Sequence, residues 1–126
     1  MAFRKPKSSK DEPKVQLSNW SVHSIKFAEL PEPVIILVGY NETEKAGRVS
    51  SRVVKEQGKY LITANKRKYE LLTDENLISP SKESTAQYVF TEWKRLMGVD
   101  GFLITGIKDI SDKYKTNRKA ERKQRA

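Results

Sequence analysis

The chain has 126 residues, 33% of them charged, no cysteine, and a formal net charge of +9 at pH 7. That is about one domain, large enough to bury a core without staples, and the missing cysteines exclude disulfides and thiolate zinc sites. No apolar stretch follows the charges of residues 1–7, and the longest apolar run, 34–38, is far too short to cross a bilayer; a cytoplasmic protein with no membrane partner is expected.

The first 14 residues carry five Lys/Arg and two acids, and are expected to form a disordered basic tail. A single domain is expected over residues 15–112, where Lys/Arg and Asp/Glu balance at thirteen each. Residues 113–126 carry seven Lys/Arg and one acid, and are expected to form a basic tail or a helix that orders on a partner. The charge excess therefore lies in two cationic arms on a neutral core, a layout suited to phosphate groups or to simple solubility.

Within the domain, residues 15–27 read as a first strand. Val15 and Leu17 share one parity and Trp20 and Val22 the other, so a bulge or bend is expected between them. After Pro31-Glu32-Pro33 comes a continuous β-branched run, residues 34–38, the expected centre of the sheet. Three further strands follow if residues 55–58 form a four-residue loop and Asn65-Lys66 a two-residue hairpin turn, with Asn65 in the left-handed position such turns require. That register places Val49, Ser51, Val53, Tyr60, Ile62, Ala64, Tyr69 and Leu71 on one face. Arg48, Ser50, Arg52, Val54, Lys59, Leu61, Thr63, Lys68 and Glu70 fall on the other.

A helix is expected to open near Ser79-Pro80. Ala86, Val89, Phe90, Trp93, Leu96 and Met97 then form one apolar stripe, and Gly98 is the expected stop. Residues 102–107 read as a last strand. The expected fold class is α+β: a small bent antiparallel sheet or SH3-like barrel of five to six strands, packed by one amphipathic helix and flanked by basic flexible tails.

Catalytic machinery is sparse. His23 is the single histidine and is read as a strand residue with an ordinary polar partner. Asp109 and Asp112 are read as caps of the final segment, and no glycine pattern precedes a helix as a phosphate loop requires. No enzymatic activity, cofactor or metal is expected. The candidate nucleic-acid contacts are Arg48, Arg52, Lys59, Lys66, Arg67 and Lys68 on the basic face and hairpin, with Lys115, Arg118, Lys119, Arg122, Lys123 and Arg125 in the last segment. Tyr40 and Tyr88 are the aromatics available to stack on a base. Residues 115–125 resemble arginine-rich helices that fold on RNA or in DNA grooves. In size and charge layout the chain is similar to small accessory proteins of phages and mobile elements.

Two functions are consistent with this pattern. One is a non-enzymatic accessory protein that binds DNA or RNA. The other is a protein-interaction module, an adaptor or inhibitor, whose neutral core carries the interface.

Overall fold

A computed structural model describes residues 13–115, so residues 1–12 of the expected N-terminal tail (1–14) and residues 116–126 of the expected C-terminal one (113–126) lie outside the described residues. The organising element is a 14-residue strand, β1 (Lys14–Phe27). Along one edge it pairs antiparallel with β2 (Val34–Asn41), from Leu17 opposite Asn41 to Ile25 opposite Val34. Its other edge is shared between two strands. Lys14 to Leu17 pair in parallel with β6 (Lys68–Leu71), and His23 to Phe27 pair antiparallel with β7 (Ile104–Asp109). β3 (Ala46–Val49) lies outside β2, and β5 (Tyr60–Thr63) and β4 (Val53–Gln57) lie beyond β6. The order is β3-β2-β1-β6-β5-β4, with β7 beside β1.

The α+β class is as expected, but the sheet is mixed and open. Neither an all-antiparallel sheet nor a closed SH3-like barrel forms, because β6 returns alongside β1 in the same direction instead of closing a meander. The expected strand around residues 49–54 is in fact two. At Ser50, just past β3, the side chain takes over one half of the ladder: the Ser50 N–H still donates to the Leu37 carbonyl at 2.8 Å, but the Leu37 N–H donates to Ser50 Oγ at 2.9 Å, and that hydroxyl donates to the Ser51 carbonyl at 2.7 Å.

The bulge expected in β1 is present. The register with β2 shifts between Ser18 and Ser21, and Asn19 adopts φ +49°. One inserted residue moves every later side chain to the opposite face. Val15 and Leu17, then Trp20 and Val22, therefore face a first core completed by Leu37, Leu61, Tyr69, Leu71 and Tyr114. Ile25 and Phe27 face a second core with Ile36, Val38, Ala86 and Phe90. Tyr114 belongs to a short helical turn, residues 111–115, so packing continues past residue 112.

Asn19 also positions the helix. Its Nδ2 donates to the Leu77 carbonyl at 3.0 Å, and its Oδ1 accepts from the Ser79 N–H at 2.9 Å. Ser79 is the extended N-cap of α1 (Pro80–Val99), with Pro80 at the first helical position as expected. Of the expected stripe, Ala86 and Phe90 are buried in the second core, and Trp93 and Met97 pack against it. Gly98 is not the stop. Gly101, at φ +92°, takes the left-handed position, with Phe102 N–H bonded to the Met97 carbonyl and Gly101 N–H to the Gly98 carbonyl. The last strand consequently starts at Ile104 and runs to Asp109. Among the described residues no helix is long and apolar enough to cross a membrane.

Two packing points are open to direct test. A Cβ on Gly47 would lie 2.7 Å from Val89 Cγ2 and 2.9 Å from the Thr85 carbonyl, so β3 and α1 touch there without room for a methyl. Gly47→Ala should cost about 1–3 kcal/mol in urea unfolding, and Val89→Ala in the same background should recover part of that stability. Asn19→Gly keeps the backbone freedom but removes three side-chain bonds, those to Leu77 and Ser79 and one from Nδ2 to Ser18 Oγ at 3.1 Å, at a cost of about 1–3 kcal/mol. Asn19→Ala should cost about 1 kcal/mol more, because alanine is strained at positive φ. Equal melting of the Gly and Ala variants would contradict that account of the bulge.

Candidate nucleic-acid interface

The composition of the outer face depends on two turns, and both differ from expectation. β4 continues through Lys55 to Gln57, and the turn is the pair Gly58-Lys59, with Gly58 at φ +60°. The next hairpin has a three-residue loop, 64–66. Thr63 N–H donates to the Arg67 carbonyl at 3.0 Å, and Lys66 N–H donates back to the Thr63 carbonyl at 2.8 Å. Lys66, at φ +68°, holds the left-handed position expected of Asn65. Asn65 acts through its side chain instead, bonding Thr63 Oγ1 and accepting from the Arg67 N–H at 3.4 Å. The one-residue slip puts Leu61 opposite Tyr69, both buried, and Tyr60 opposite Glu70 on the outside. The expected inner position of Tyr60 and outer position of Leu61 are thereby exchanged.

Registers across four strands define the outer face. One row runs Lys14, Lys68, Ile62, Lys55, and the next runs Gln16, Glu70, Tyr60, Gln57. Half-buried Tyr60 is ringed by three ammonium groups, those of Lys59, Lys14 and Lys68, at 5.4, 5.6 and 5.7 Å from its ring centroid. Such cation–ring contacts orient lysine stems over an aromatic while leaving the heads hydrated. Glu70 is the acid of the patch; it accepts from Gln16 Nε2 at 3.2 Å and lies 3.8 Å from Lys59 Nζ. The arrangement offers phosphate-seeking cations around a flat π surface.

The sequence-derived candidates divide sharply. Lys59 and Lys68 meet on this face. Arg48 does not share it. It is buried, and its Nη1 donates to the Tyr69 hydroxyl at 3.2 Å, on the core side. Arg67 is also buried. Arg52 is exposed between β3 and β4, and Lys66 is exposed at the hairpin tip. Lys115 is exposed with its Nζ 5.8 Å from the Trp20 ring centroid. Arg118, Lys119, Arg122, Lys123 and Arg125 lie outside the described residues. Of the aromatics, Tyr88 is exposed on α1, while Tyr40 is half-buried under Lys82, which Glu42 holds at 2.9 Å. Lys14 and Tyr60 are not among the residues that the sequence pattern picks out. The alternation Lys14, Val15, Gln16, Leu17 is the signal that marks the first, and the Gly58 turn the second.

A hollow of about 470 Å³ opens along β1 between its pairings with β6 and β7, lined by Trp20, Ser21, Glu83, Asp109 and Lys115 among others. Two of these lining residues, Ser21 and Asp109, stand beside His23. Ser21 Oγ and His23 Nε2 share a 2.8 Å hydrogen bond, and Asp109 is the register partner of His23. The Asp109 carboxylate, however, accepts from the Ser111 N–H at 2.8 Å, and buried His23 Nδ1 has no hydrogen-bond partner among the described residues. The aspartate therefore does not orient the imidazole as a relay requires. The ring stacks on Phe90 at 4.5 Å instead. Among the described residues no group of His, Asp and Glu is placed to hold a metal ion. No protein-family model matches the chain, and no curated protein or solved structure shows significant similarity to it.

Burial pushes the His23 pKa below its ordinary value; Asp109 opposes that effect and Lys94 adds to it. As pH falls the unfolded chain takes up the proton first, so the fold loses stability from about pH 6.5 downward. His23→Gln should flatten this slope. Urea midpoints of parent and variant, compared above and below that pH, are expected to converge or cross as the medium is acidified. Parallel curves would place the titrating group elsewhere.

Proposed function

We propose that the protein binds nucleic acid, without catalysing a reaction on it, through the outer face of β1, β6, β5 and β4. The observation that carries this reading is Tyr60 enclosed by Lys14, Lys59 and Lys68. Phosphate contacts set affinity and register, while an aromatic on an open sheet can stack on an unpaired base. The Lys/Arg-rich sequence of residues 116–126 adds further cations to the same chain. The tyrosine favours single strands over duplex, whose bases are stacked on each other.

Fluorescence anisotropy on a labelled single strand, titrated at several salt concentrations, tests the proposal. Lys14→Glu with Lys68→Glu should lower the slope of log affinity against log salt by about 1.4 units, roughly 0.7 for each phosphate left without its lysine. Tyr60→Ala should weaken single-strand binding by about 1–3 kcal/mol and leave duplex binding nearly unchanged. Removing residues 116–126, which leaves Tyr114 in the core, should lower the slope independently of the face. An absence of binding to either form at about 50 mM salt, where phosphate contacts are strongest, would overturn the proposal.

A further inference from the structure

Glu70 is the exception on the outer face. Three lysines ring Tyr60, yet the register partner of that tyrosine on β6 is an acid. A carboxylate there repels the phosphates that the lysines attract. As a counter-ion it contributes little, because Lys59 Nζ lies 3.8 Å from Glu70 Oε2 and the Lys59 side chain is 61% exposed. The bond it accepts from Gln16 Nε2 at 3.2 Å needs only an oxygen, which a glutamine would also supply. Neither contact accounts for a full negative charge beside Tyr60.

Its position does. Directly opposed residues on one sheet face hold their Cβ atoms about 4.5–5.5 Å apart, so Glu70 borders Tyr60 on the β6 side as Gln57 does on the β4 side. Lys59 Nζ reaches both the ring and the carboxylate. A base stacked on Tyr60 therefore has a carboxylate within reach of its edge. An ionised carboxylate only accepts, at about four lone-pair sites on two oxygens, and Gln16 takes one of them. Guanine is the base whose Watson–Crick edge sets two donors side by side, N1–H and the N2 amino group. Adenine and cytosine set one amino donor beside a ring-nitrogen acceptor. Thymine and uracil flank a single N–H with two carbonyls. Guanine can thus give the carboxylate two charge-assisted bonds with no acceptor facing it.

We propose that Glu70 makes the Tyr60 platform selective for guanine in a single strand, accepting from N1–H and the N2 amino group while the lysines hold the flanking phosphates. The inference rests on the nucleic-acid reading of this face and adds the base that it selects.

Anisotropy on short labelled strands, all thymine except for one central base, tests it. RNA strands with uracil flanks run beside the DNA set, because the base edge is common to both. At about 50 mM salt the full chain should bind the guanine strand about tenfold tighter than strands with central adenine, cytosine or thymine. Hypoxanthine, which keeps N1–H but lacks the N2 amino group, should fall between. Glu70→Gln keeps an oxygen for Gln16 and puts an amide N–H in place of the second acceptor. It should bring guanine to the level of the other bases and leave the thymine strand bound at least as tightly, since a negative charge is gone. A purely electrostatic Glu70 would instead shift every strand by the same factor. Equal binding of all central bases by the parent, or a guanine preference that survives both Glu70→Gln and Glu70→Ala, would overturn the inference and leave the nucleic-acid reading standing. No binding to any strand would overturn both.

Discussion

One extra residue in β1 governs the rest of the fold. A regular strand would send Val15, Leu17, Ile25 and Phe27 to the same side, because they share parity. The insertion at Asn19 splits them between two cores, so that one strand supplies the apolar face of both. The same residue then uses its amide to hold the approach to α1, and its neighbour Trp20 donates its indole N–H to the Leu72 carbonyl at 2.8 Å. Gly39, across the sheet, accommodates the distortion: a Cβ there would lie within 3.1–3.2 Å of Ser18, Leu17 and Trp20. The bulge, the glycine opposite and the helix start are therefore one mechanical unit.

The outer lysine face follows from that unit. With the first four residues of β1 committed to a parallel pairing with β6, Lys14 and Gln16, alternating with buried Val15 and Leu17, face outward beside Lys68 and Glu70. Lys14 and Gln16 thus join a surface built mostly from a hairpin about fifty residues later. Glu42 forms a separate link on the other side, bonding Ser18 and Lys82; burial acts to raise its pKa, but the Ser18 hydroxyl and the Lys82 ammonium hold it below the ordinary carboxylate value. Charge is used differently on the two sides: paired where elements are locked together, and clustered around Tyr60 where the sheet meets solvent.

What the residues reveal and what they conceal separates along physical lines. Strong periodicity is legible: the bulge from the parity change at Leu17 to Trp20, the helix from its stripe, its start from Ser79-Pro80. Turn geometry is not, because Gly58-Lys59 and Asn65-Lys66 are both reasonable two-residue turns, and only tertiary packing decides that the second becomes a three-residue loop. That single slip moves Tyr60 to the surface, and with it the aromatic at the centre of the patch. Arg48 misleads for a related reason. An arginine in a basic run reads as solvated, yet here its guanidinium reaches the Tyr69 hydroxyl inside the fold. The parallel pairing of β1 with β6 leaves no local mark at all, since parallel partners are joined by long connections that carry no turn signal.

The division of one edge of β1 between β6 and β7 also dictates when folding can finish. As the chain emerges during synthesis, β2 can zip onto β1 at once, but Ile25 and Phe27 then wait for α1 to cover them and for residues 104–109 to complete the ladder. Pairings between residues some eighty positions apart form slowly, and a half-built sheet with bare strand edges is prone to capture by other chains. The nascent protein is thus most vulnerable to aggregation after β2 has formed and before β7 arrives, and a slow stretch of translation placed in that interval would lengthen the exposure.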